Sequence, residues 1–274
     1  MLNIRRPAHS KIIPSNIKWK SLKKEEEFLF QRYFDSNIVE TLQKKDDGHS
    51  THLSGYYKST RHKKKFIKIL DKTDNQSQFE AEKIASWLKK TGVCISCTRD
   101  GSPKKIKGHE LWIYIYDYID YEFFTGSEKS LYLIGKELGK MHKLMHNHPL
   151  SEVVFTNGGK KNEILLQQLN NIKTKDDFSS LPKGAVDLIK ATNDDEFQLL
   201  FKVGQMIHGD MNLGNILFEK NSHQPIFIDF EDSTTAWLSP MYDIAFIVQR
   251  FILLSNFQGK TRFCLLYTSD AADE

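Results

Sequence analysis

The stretch that most constrains this 274-residue chain lies at positions 207–231. Ile207-His208-Gly209-Asp210-Met211-Asn212-Leu213-Gly214-Asn215 runs into Ile216-Leu217-Phe218, and after a polar turn Ile226-Phe227-Ile228 leads into Asp229-Phe230-Glu231. Two short apolar runs around a polar turn predict a two-strand hairpin. The hairpin brings together Asp210, Asn215 and Asp229, which are spaced five and fourteen residues apart. Asn215 and Asp229 offer hard oxygen ligands for magnesium against nucleotide phosphates, and Asp210 offers an acid that can orient or deprotonate an acceptor hydroxyl. These are the needs of phosphoryl transfer.

The rest of the chain must supply a scaffold for that hairpin. Three β-like runs, Ile38–Leu42, His52–Tyr57 and Phe66–Leu70, precede a helical pattern over Ser77–Lys90, where Phe79, Ala81, Ile84, Ala85 and Leu88 recur at near-helical spacing before Gly92. Two more strand-like runs follow, Val93–Thr98 and Leu111–Ile119. Beyond a boundary near Phe124-Thr125-Gly126 the pattern turns helical, over Ser130–Met145, Lys160–Asn171 and Pro182–Ala191. The predicted order is three strands, one helix, two strands, then helices interrupted by the hairpin.

The run from His208 resembles the aminoglycoside phosphotransferase and choline kinase superfamily, whose signature is His-Gly-Asp, four intervening residues, Asn, then Ile-Asp-Phe. Every signature position matches. Met241-Tyr242-Asp243-Ile244-Ala245 resembles the Asp-Leu-Ala helix that follows the metal aspartate, which implies a supporting role for Asp243. The resemblance spans about Ile38 to Phe251 and implies an α+β, protein-kinase-like two-lobed fold. Its amino-terminal lobe would hold a five-stranded antiparallel sheet with one helix, above a mainly helical carboxyl-terminal lobe. The expected lobes are residues 1–124, with 1–36 as an extension, and 125–263.

That resemblance also implies an activity: ATP- and Mg2+-dependent transfer of the γ-phosphoryl group to a hydroxyl of a small molecule, a metabolite or an antibiotic. Asp210 would be catalytic, with Asn215 and Asp229 on the metal. Lys68, between apolar neighbours on the third strand, resembles the strand lysine that contacts nucleotide phosphates. A helix glutamate should pair with it, either Glu80 or Glu82. Glu80 shares a face with Ile84 and Leu88, whereas Glu82 stacks with Ser86 and Lys90, so helical spacing selects Glu80. The phosphate-covering loop, Lys44–Thr51, has one glycine, and backbone amides around Gly48 and Ser50 are the expected cradle. Tyr116 and Tyr118 enter the hinge, where the backbone would meet the purine. The alternative is a catalytically silent kinase-fold protein that binds a nucleotide or partner without turnover.

Composition narrows the partners. Residues 1–75 hold 17 Lys and Arg against 9 Asp and Glu, while the remainder holds 22 against 26. The basic tract Arg61–Lys65 reads as a solvated turn, and the aromatic run from Trp112 to Phe124 is interleaved with acidic residues, which argues against nucleic acid. No apolar stretch approaches the roughly 18 residues needed to span a bilayer, and no secretory signal opens the chain, so no membrane partner and a cytoplasmic location are expected. Cys94 and Cys97 have the spacing of half a zinc site without a second pair, and His142, His146 and His148 read as helix-end histidines. Trp237 and Tyr242 could form an aromatic cage for a quaternary ammonium, although core packing is the simpler reading. Finally, Cys264–Glu274 resembles the in-frame translation of a sequencing adapter, which predicts that native sequence stops near Phe263 in a truncated fragment.

Overall fold

The computed structural model describes residues 19–34, 39–40, 42–45, 55–59, 65–98, 103–122, 124, 127–174, 186–187, 190–191 and 193–249. The fold is α+β, with an antiparallel sheet and one long helix leading into a mainly helical part. Six strands form the large sheet: β1 (Trp19–Ser21), β2 (Leu42–Lys45), β3 (Gly55–Ser59), β4 (Lys65–Asp71), β5 (Lys104–Lys105) and β6 (Leu111–Asp117), in the order β1-β2-β3-β4-β6-β5. Alternation gives the sheet two different faces. Leu42, Tyr57, Ile67, Ile69 and Ile113 point to one side, where they bury against Phe30 of α1 (Lys24–Phe30). The Phe30 and Tyr57 rings meet edge-on at 5.0 Å. That core also contains an ion pair: Lys44, 1% exposed, reaches Glu26 of α1 at 3.2 Å. The opposite face presents Lys45, Tyr56, Phe66 and Lys68 to a cleft.

Helix α2 (Lys72–Lys90) begins five residues before the predicted start and buries Ala81, Ile84, Ala85 and Leu88 in a second core with Leu131, Ile134 and Leu138 of α3 (Glu128–His146). Two strand assignments need correction. Of the expected strand Ile38–Leu42, Ile38 and Thr41 lie outside the described residues and Val39 and Glu40 are not extended, while Leu42 opens β2. The expected strand Val93–Thr98 makes only two isolated bridges, Ile95 with Phe227 and Thr98 with Tyr116. It crosses from one sheet to another, so no single partner sustains a ladder. In the described residues β1 and β5 join the sheet instead, giving six strands where five were expected.

Below the cleft, α3 is capped by Ser127, which accepts from the Ser130 N–H at 3.1 Å. Then come α4 (Ser151–Lys173) and α5 (Asp194–Lys202). The predicted helix over Pro182–Ala191 falls mostly outside the described residues. The hairpin is present as β9 (Ile216–Glu219) and β10 (Pro225–Phe227), extended by β7 (Tyr121–Glu122) on the outer side of β9. A separate pair, β8 (Gln205–Met206) with β11 (Trp237–Leu238), brackets the loop that follows β8. Gly158 of α4 lies against this pair so closely that an added Cβ would stand 2.7 Å from the Trp237 Cβ. Trp237 is packed there, edge-on to Phe155 at 5.1 Å with its indole N–H on the Phe201 carbonyl, which favours the packing reading over a cage. Helix α6 (Met241–Ile247) closes the order. Among the described residues no helix is long and apolar enough to cross a membrane.

Candidate active site

The loop after β8 is shaped by one buried carboxylate. Asp243, 0% exposed near the start of α6, accepts from the His208 N–H at 2.9 Å through Oδ2 and from the Gly209 N–H at 2.9 Å through Oδ1. His142 of α3 meets Oδ2 at 2.8 Å through Nε2. Burial raises the Asp243 carboxyl, but the hydrogen bond and charge of His142, with His208 and the Gly209 N–H, outweigh it and hold it below the usual carboxylate range. His142 is thus a buried partner of Asp243. Gly209 has φ 87°, and a Cβ there would come within 2.8 Å of Ala236. Only glycine serves both demands at that turn.

Asp210 follows at once and is held from the other side. The side-chain amides of Asn212 and Asn215 donate to its Oδ2 at 2.8 and 3.0 Å, and Asn215 also donates to its carbonyl at 2.9 Å. With its nitrogen committed to Asp210, Asn215 keeps its amide oxygen as the donor atom for a cation. The Ile228 N–H donates to the Asn215 carbonyl at 3.0 Å, which ties the two halves of the hairpin together just before Asp229.

Asp229 has φ 66°, a left-handed conformation that costs a non-glycine residue about 1 kcal/mol or more. Its side chain is 43% exposed and stands 3.9 Å from Lys68 Nζ. Glu231 bonds directly to the same ammonium. Desolvation raises the Asp229 carboxyl, the neighbouring Glu231 raises it further, and Lys68 opposes them without reversing the shift. Burial works against the Lys68 charge in turn, but Asp229, Tyr56 and Glu231 prevail and lift its pKa. The Asp229 carboxylate and the Asn215 amide oxygen line the same cleft, with Glu231 beside them on Lys68, and are hard oxygen donors of the kind a divalent cation takes.

Glu80 does not meet Lys68. It accepts from Gln76 at 2.7 Å, and the α2 side chain that reaches Lys68 is Gln78, at 2.5 Å. Gln78 passes on to Glu82 at 2.9 Å, and Glu82 also accepts from the Tyr116 hydroxyl at 2.5 Å and the Thr98 N–H at 2.8 Å. Glu82 is thus buried, not solvated. Because α2 buries one flank on the helices and another on the sheet, polar residues beside its apolar stripe face inward at positions 78 and 82. Burial and the Glu82 charge push the Tyr116 hydroxyl well above its ordinary pKa.

A cleft of about 610 Å³ contains Lys68, Asn215, Asp229, Tyr116 and Tyr118. Tyr116 still lies in β6, opposite Phe66, whereas Tyr118 follows the strand end. Gly48 and Ser50 lie outside the described residues. Cys94 and Cys97 are not joined in a disulfide, and among the described residues no group of three or more His, Cys, Asp and Glu is placed to hold a metal ion. Sequence reasoning missed Gln78, His142 and Asn212. Only the i, i+4 pairing of Gln78 with Glu82 signalled the first.

Residues 54–259 match the profile of the phosphotransferase enzyme family. Compared with curated proteins, the sequence has no significant match. In structure the chain is similar to the GDP and kanamycin complex of APH(2")-IIia, with TM-score 0.58 and 16% identity, covering 90% of this chain and 83% of that one. It is also similar to an aminoglycoside-3'-phosphotransferase of type VIII, with TM-score 0.53, 10% identity and coverages of 84% and 85%. A third similar structure is the aminoglycoside phosphotransferase APH(3'')-Id from Streptomyces rimosus in complex with ADP and streptomycin, with TM-score 0.52, 13% identity and coverages of 78% and 83%. At these identities the likeness concerns the fold.

Proposed function

We propose that this chain, which belongs to the phosphotransferase enzyme family, transfers the γ-phosphoryl group of ATP to a hydroxyl of a small molecule. The observation that carries the reading is Asn215: its amide nitrogen fixes Asp210 while the residue lines the same cleft as Asp229 and Lys68. Acceptor side and nucleotide side are thereby joined through one side chain.

With Oδ2 held by two amides, Asp210 presents its remaining oxygen to the acceptor, orients the hydroxyl and receives its proton as the new P–O bond forms and the bond from the γ-phosphorus to the bridging oxygen breaks to leave ADP. Lys68 is already charged and directed into the cleft, where it meets phosphate oxygens. Asn215 and Asp229 would hold magnesium, with Glu231 beside them, and the ion would neutralise charge on the transferring group. Gln78 and Glu82 keep Lys68 and Tyr116 at the back of the cleft. Solved neighbours in complex with GDP or ADP support a nucleotide in this cleft.

The test is ATP consumption by the purified protein against amino-alcohols, aminoglycosides, sugars and hydroxy amino acids. With a competent acceptor, Asp210→Asn should lower turnover by about a hundredfold or more and leave nucleotide affinity unchanged. Near-parental turnover would remove Asp210 from the chemistry. Nucleotide binding without turnover on any acceptor would support the silent alternative.

A further inference from the structure

We propose that Trp19, on a strand that precedes the family-matched residues 54–259, is a nucleotide-binding residue that walls the outer edge of the cleft. The inference rests on the reading of this cleft as the nucleotide site.

Strand β1 enters the sheet with Trp19 opposite Lys45, so both side chains emerge on the cleft face. The Trp19 ring lies 4.5 Å from Lys58 Nζ. Lys45 Nζ lies 5.2 Å from the Tyr56 ring, and Tyr56 stands opposite Lys68, so one row of the cleft face runs from Trp19 through Lys45 and Tyr56 to Lys68. The neighbouring row holds Lys58, Phe66 and Tyr116, near the strand end before Tyr118, and Lys68 lies beside Asp229. Trp19 consequently stands at the sheet-edge end of the row that holds Lys68, three strands or about 14 Å away, within the span of a nucleotide whose phosphates meet Lys68. A flat aromatic face beside a lysine suits a nucleoside better than a phosphate alone.

The strand is held in place. Leu22 is buried directly after it, Glu26 accepts from the Lys23 N–H at 2.9 Å, and the same carboxylate bonds buried Lys44 on β2. Trp19 is the one of the four tryptophans that lines the cleft.

Titration with magnesium and the non-hydrolysable ATP analogue AMP-PNP tests the proposal by tryptophan emission and calorimetry. The parent protein should show saturable quenching. Trp19→Phe should keep affinity within about threefold but lose most of the quenching, and Trp19→Ala should bind about tenfold more weakly while its unliganded unfolding temperature stays near the parent's. Should Trp19→Ala fold poorly, the quenching lost in Trp19→Phe still decides. Affinity unchanged in Trp19→Ala, or quenching of parental size in Trp19→Phe, would overturn the inference alone. No binding by the parent would overturn the nucleotide reading of the cleft and this inference with it.

Discussion

Replacing Asp243 by Asn changes one atom, yet it should be felt in both stability and turnover. The buried carboxylate accepts three bonds, from the His208 N–H, the Gly209 N–H and His142. Asparagine offers one oxygen, so it can satisfy one backbone donor and turns an N–H toward another. Loss of a hydrogen bond to a charged group costs about 1.5–3 kcal/mol, and leaving a buried donor unsatisfied costs about as much again. The expected total is about 3–5 kcal/mol, or roughly 10 °C in unfolding temperature for a chain of this size. The catalytic consequence follows from sequence distance: Asp210 is the next residue after Gly209, and a displacement of about 1 Å at a reacting group can cost a hundredfold. Urea unfolding and kcat, measured together, check the prediction. Combining His142→Gln with Asp243→Asn should give less than the sum of the single effects, because both act on one carboxylate. An Asp243→Asn protein within about 0.5 kcal/mol of the parent, with parental kcat, would refute the account of the loop.

Two further outcomes concern Asp229 and a buried histidine. Asp229→Ala should abolish the magnesium-dependent part of the thermal shift produced by ATP, while a shift of parental size would remove Asp229 from the site. His148 packs edge-on to Trp87 at 4.6 Å, its Nδ1 accepts from the Leu150 N–H at 3.0 Å, and burial lowers its pKa to about 4. Because the unfolded chain protonates near 6.5 and the folded one only near 4, the folded state binds fewer protons between those values, and stability should fall as pH drops from about 6.5 to about 4. His148→Asn should flatten that part of a stability–pH profile, and an unchanged slope would show that His148 does not set it.

The candidate site residues were legible because each sits in a local pattern that the backbone preserves. Asp210, Asn215 and Asp229 flank a hairpin whose apolar runs set their spacing, and Lys68 lies on a strand whose alternation turns it away from the face that buries Ile67 and Ile69. The fold order was legible for the same reason, since α2, α3 and the hairpin carry their own periodicities. What escaped was non-local. The Lys68–Glu231 pair spans 163 positions and the His142–Asp243 pair 101, and no spacing rule connects them. Glu80 was chosen over Glu82 on the assumption that α2 has one buried face. Once its second flank meets β6 through Tyr116, the apolar stripe no longer marks the inward direction. The same limit explains Val93–Thr98: its composition suits a strand, but whether it finds a continuous partner depends on where β6 and β10 lie. Trp19 is the extreme case, because neither periodicity nor the family pattern reaches it. Its place at the cleft follows only from β1 pairing with β2 and from the Glu26–Lys44 contact that seats α1 beside them.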